Sequence, residues 1–62
     1  MIPRAMMHEV EHLFEFANRR SEQTTREAPE SIRREMEEQL RVVKAWRARV
    51  LKVVKEHAEP DA

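Results

Sequence analysis

The chain has 62 residues, with 12 Lys or Arg against 12 Asp or Glu, and neither Cys nor Gly. That length permits one small domain with a modest core, and the composition excludes a disulfide framework, a cysteine metal site and a glycine-rich phosphate loop. Balanced charge implies no global attraction to nucleic acid, and no apolar run approaches the ~20 residues that span a bilayer.

Glu9, Glu11 and Glu15 fall where an export signal would need an unbroken apolar region, so a cytoplasmic protein without a membrane association is the default expectation. With no staple available, stability has to come from well-formed helices or from a partner. The abundance of Glu, Arg, Ala, Met and Leu favours helix.

Three prolines punctuate the chain. Pro3 suits the first turn of a helix, Pro29 opens a second one in the same way, and Pro60 closes the ordered part. The residue before Pro29 is pushed out of helical geometry. These signals predict a single helical-hairpin domain over 1–62: helix one over about 3–25, a turn at about 26–28, helix two over about 29–58 and a polar tail at 59–62.

In helix one, Met6, Val10, Leu13, Phe14 and Ala17 have amphipathic spacing. Ser21 and Thr24 continue that face with small polar residues, and residues 18–27 hold no large apolar side chain, so the helix end is poorly marked there. In helix two, Ile32, Met36, Leu40 and Val43 form a narrow stripe. Glu30 favours the helix N-terminus, and Glu30–Arg34 and Glu37–Arg41 have the stabilising i, i+4 order. The run 33–38 (RREMEE) reads as a solvated face.

Residues 41–55 are different. They hold six Lys or Arg, no acid, and seven large apolar residues: Val42, Val43, Trp46, Val50, Leu51, Val53 and Val54. At about 100° per residue these cover roughly half the helix circumference, more than one neighbouring helix requires. Folding helix two back on helix one sets Leu13 by Val43, Ala17 by Leu40, Met6 by Val50 and Thr24 by Ile32. Charge agrees with the hairpin. Residues 5–17, with three Glu and no Lys or Arg, lie beside the basic 41–55, and residues 18–27 lie beside 28–40, where four Glu face two Arg.

The expected fold is therefore all-α, an antiparallel two-helix hairpin that pairs into a four-helix bundle as a homodimer to cover the surplus apolar face. Candidate partner or dimer-interface residues are Trp46, Arg47, Val50, Leu51, Val54 and Phe16. Arg47 falls inside the apolar arc, where a charge needs a partner, so a carboxylate across an interface or an edge position is expected for it. Phe16 lies off the stripe of helix one.

His8-Glu9-Val10-Glu11-His12 is a formal H-E-x-x-H, the zinc-binding pattern of metalloproteases. No third ligand follows at a suitable distance, the chain is too short for a substrate cleft, and both histidines point roughly opposite the apolar stripe. His8 and His12 are accordingly read as incidental, with no metal and no cofactor. Ser21, Ser31 and the threonines have no base beside them, which argues against a nucleophilic enzyme.

A non-enzymatic protein–protein interaction module is the functional expectation: a regulator, adaptor or inhibitor with a protein partner. The alternative is a nucleic-acid-binding regulator that presents Arg41, Lys44, Lys52 and Lys55 to phosphates. In length and layout the chain resembles Rop, the small plasmid RNA-binding protein whose two-helix chains pair into a four-helix bundle, although no residue-level motif is shared.

Overall fold

A computed structural model of the chain describes residues 1–60; the last two residues of the expected polar tail, Asp61 and Ala62, lie outside the described residues. Two helices, α1 (Arg4–Glu27) and α2 (Glu30–Glu56), pack against each other as a helical hairpin. Both begin in the same way. Pro3 and Pro29 are the residues just before the first helical turn, with φ −58° in each case and extended ψ, rather than members of that turn. A proline there has no N–H to leave unpaired. Its carbonyl accepts the first helical bonds, from Met6 and Met7 at Pro3 and from Ile32 and Arg33 at Pro29.

α1 continues without interruption through the residues that lack large apolar side chains and ends at Glu27. Thr24 and Thr25 turn their hydroxyls back onto the Arg20 and Ser21 carbonyls, at 2.9 and 2.8 Å. That is how a mid-helix threonine satisfies itself locally. The link is the two residues Ala28 and Pro29, and Ala28 takes the extended geometry that a following proline imposes (φ −72°, ψ 149°).

Arg33 clamps this turn. Its Nε and Nη2 both donate to the Ala28 carbonyl, at 3.1 and 2.7 Å, which satisfies an orphan acceptor at the end of α1. Arg33 is thus half-buried, not part of a solvated face, and Glu30 sits 3.9 Å from it instead of pairing with Arg34.

The open end of the hairpin is also tied. Ile2 N–H donates to the His57 carbonyl (2.7 Å) and Glu59 N–H donates to the Ile2 carbonyl (2.8 Å), an isolated parallel bridge centred on Ile2 and Ala58. Arg4 Nη2 adds a bond to the Glu59 carbonyl at 2.9 Å. α2 therefore stops at Glu56, short of the expected 58, because the backbone from His57 onward turns to meet the first residues of the chain.

Between these ties the helices meet along a seam rotated from the expected stripe. Met7 is buried and Phe14 half-buried, whereas Met6 and Leu13 are 53% and 61% exposed. α1 carries its large apolar residues as neighbouring pairs, Met6-Met7 and Leu13-Phe14, so two adjacent stripes compete for the seam. The register differs as well: Phe14 faces Trp46, about one helical turn further along α2 than expected.

Only Met7, Ala28 and Thr25 count as buried among the described residues. The molecule measures 50 × 15 × 11 Å, one helix thick, and its radius of gyration of 14.7 Å exceeds the roughly 10.5 Å of a compact chain of this length. A layer of two helices has no interior.

Replacing Arg33 by Ala is expected to lower the urea midpoint by an amount equivalent to about 1 kcal/mol, the scale of a charge-assisted bond to an otherwise unpaired carbonyl. Arg34→Ala, one residue on and exposed, should stay within about 0.5 kcal/mol of the parent.

Candidate functional site: two unlike flanks of one hairpin

The seam divides the hairpin into two flanks of different chemistry. One is polar and closed by ion pairs. Lys44 Nζ meets Glu22 Oε1 at 2.5 Å and Lys55 Nζ lies 3.6 Å from Glu11 Oε1, both across the helix pair. Phe14, Ala48 and Leu51 sit among these charges. The hydrogen bond from the Lys44 ammonium, followed by its charge, holds the Glu22 carboxyl below its ordinary value of 4.5.

The other flank is apolar and open. Near the turn it forms a trough of about 720 Å³, with Ala17, Ser21 and Thr25 from α1 and Ile32, Met36, Leu40 and Val43 from α2 among its lining. Phe16 stands at its edge, 62% exposed. Heptad spacing carries this flank to the far end: Ile32 and Gln39 of the trough are followed by Trp46 and Val53, 53% and 54% exposed, and Leu13 lies one turn before the trough residue Ala17. Trp46 covers one side of its ring against Phe14, with centroids 6.4 Å apart and planes inclined by 37°. No ion pair bridges the helices on this flank among the described residues.

The six candidate interface residues divide accordingly. Phe16 and Trp46 stand exposed on the apolar flank. Val50 and Val54 are half-buried, while Leu51 lies on the polar flank beside Glu11 and Lys44. Arg47 is half-buried in the seam and reaches both flanks. Its expected carboxylate partner is replaced by an amide: Arg47 Nη1 donates to Asn18 Oδ1 at 2.8 Å. Asn18 supplies an acceptor without a second buried charge, so the guanidinium keeps its net charge inside the seam.

The four basic candidates do not form one outer ridge. Lys44 and Lys55 lean toward the seam and are neutralised by Glu22 and Glu11. Arg41 and Lys52 are exposed and form no ion pair among the described residues. His8, His12 and His57 are all exposed, and no group of three metal-ligating side chains comes together among the described residues. No described helix is long and apolar enough to cross a membrane.

Sequence reasoning missed the parts of this site that depend on the seam's rotation. The apolar spacing places Leu13 and Met6 in the seam, and Asn18 stands in a stretch that holds no large apolar side chain. Asn18 is four residues after Phe14, which packs toward α2, and that spacing was the available signal.

No known protein family, curated protein or solved structure matches the chain. The likeness to Rop thus stays one of length and layout, and a likeness of layout does not define a function.

Two outcomes follow from this geometry. Arg47→Leu should leave the melting temperature unchanged or raise it, because an apolar side chain in the seam removes a desolvated charge and Asn18 can turn to water; thermal denaturation by circular dichroism reads this directly. The Glu22 carboxyl should titrate below 4.5 by NMR and move upward in Lys44→Ala. Since its folded value is depressed, its small contribution to stability is complete above the ordinary carboxylate range and is lost as pH falls through the folded value.

Proposed function

We propose that the protein is a small non-catalytic interaction module that works as a homodimer, its apolar flank covered by a second copy in a four-helix bundle. The observation that carries this reading is the surface left over. The chain exposes 5271 Å², whereas a compact monomer of 7.5 kDa exposes about 4,200 Å². The excess of roughly 1,000 Å² is comparable to the ~800 Å² that each partner buries in a standard interface. The chain is elongated, and the surface it leaves includes the large apolar side chains Leu13, Phe16, Trp46 and Val53 on the open flank. A row of exposed large apolar residues along one flank of so small a chain marks an interaction surface.

The trough supports binding rather than catalysis. It is broad, open to solvent and mainly apolar, with Arg20, Glu35 and Arg47 as its charged members. The H-E-x-x-H pair lies exposed on α1, away from any enclosed site in which an ion would act on a substrate. Once the apolar flank is covered, the outward faces of the bundle remain for a protein partner.

A second reading, nucleic-acid binding, is favoured by one observation: Arg41 and Lys52 lie exposed on α2 without a carboxylate partner. With Lys44 and Lys55 already neutralised, the reading has half of its original basis. It predicts an affinity that falls steeply with salt, whereas the favoured reading predicts association with little salt dependence.

Sedimentation at micromolar concentration should give twice the 7.5 kDa chain mass. Phe16→Asp, on the exposed edge, should weaken self-association by at least about tenfold, or about 1.4 kcal/mol. A folded monomer at that concentration would refute the dimer. Recovery of nucleic acid alone from affinity capture performed with and without nuclease would favour the second reading.

A further inference from the structure

The apolar flank is not uniform along its length. Its turn half is hollow: the trough there is floored on α1 by the small residues Ala17, Ser21 and Thr25. Its open half protrudes, with Met6, Leu13, Trp46 and Val53 each more than half exposed. Phe16 and Val43 mark the middle. A flank that is hollow at one end and knobbed at the other is complementary to itself when one copy is turned end over end.

We propose that two copies pack on this flank with their turns at opposite ends of the bundle, about a two-fold axis passing near Phe16 and Val43. This rests on the self-association argued above and specifies its geometry. α1 then lies antiparallel on the partner's α1, and α2 on its α2. Leu13 enters the hollow at Ala17 and Ser21 of the second copy, Met6 reaches Thr24, Trp46 reaches Gln39, and Val53 reaches Ile32. Large side chains fill the space left by small ones, as a close-packed interior requires.

The reverse arrangement, with both turns at one end, sets trough against trough and knob against knob. The troughs, about 720 Å³ each, would then face one another unfilled while Trp46 and Leu13 hold the open ends apart. Voids forfeit dispersion contacts on every wall, so shape selects the first arrangement.

The charge at the flank suits a second copy. Arg20 and Glu35 line the trough, helical spacing sets Glu9 near the same edge of the first helix and Glu38 and Arg49 near that of the second, and none of the five forms an ion pair among the described residues. A border that carries both signs is complementary to a copy of itself. In the end-over-end packing Glu9 comes level with the partner's first-helix basic segment, near its Arg20, and Glu38 comes level with Arg49. Such rim pairs set specificity more than affinity.

The chain has no Cys, so a single nitroxide label on Ser31→Cys, exposed beside the turn, reports one distance between copies. Pulsed dipolar spectroscopy should give about 37 Å: each Ser31 lies 12 residues from the axis at Val43, so the labels are separated by the ~1.5 Å rise per residue over twice that length together with the ~10 Å offset between helices. A separation under about 20 Å, as adjacent helices ~10 Å apart would place the labels, overturns the proposal while leaving the dimer intact.

Ala17→Phe supplies the second measurement. Filling the trough floor should weaken self-association at least tenfold in sedimentation equilibrium; unchanged or tighter association would mean that nothing from the partner enters there and would overturn the proposal. Sedimentation of the parent chain as a monomer would instead remove the reading on which this one rests.

Discussion

An α-helix whose apolar arc spans half its circumference cannot bury that arc against a single neighbour. A two-helix layer offers each helix only one neighbour. Three features follow from that mismatch: a layer 11 Å thick, only Met7, Ala28 and Thr25 buried among the described residues, and a flank on which Leu13, Phe16, Trp46 and Val53 stand in solvent. A second layer removes the mismatch, which is why the apolar flank and the proposed function are the same feature seen at two levels.

The apolar seam is closed at both ends and along one flank by polar contacts. At the turn, the Arg33 guanidinium closes on the Ala28 carbonyl; at the open end, Ile2 bridges to His57 and Glu59. Between them Lys44–Glu22 and Lys55–Glu11 cross the seam on one side only. These exposed pairs add little stability individually. Their one-sided placement makes one flank polar and leaves the other apolar and open.

Arg47 is the point where the two flanks meet. It sits in the seam at a spacing that would suit a leucine, and its partner is the neutral Asn18. A charge kept in an apolar seam weakens packing, and in helical assemblies such residues fix register and partner choice. Arg47 reaches both the trough and the polar flank.

The sequence alone determined that the chain is two helices in an antiparallel hairpin, because proline positions, apolar spacing and segregated charge all specify the same arrangement. It also indicated a surplus of apolar surface, legible in the width of the arc over residues 41–55. Which apolar residues would be surplus was not legible. Met6-Met7 and Leu13-Phe14 present adjacent stripes of similar hydrophobicity, and only the packing of two particular surfaces decides which stripe turns inward. The same holds for Asn18 as the acceptor for Arg47 and for Ile2 as a tie to His57 and Glu59. Both contacts join residues far apart in the chain, and local pattern carries no information about such pairs until the helices have a rotation and a register.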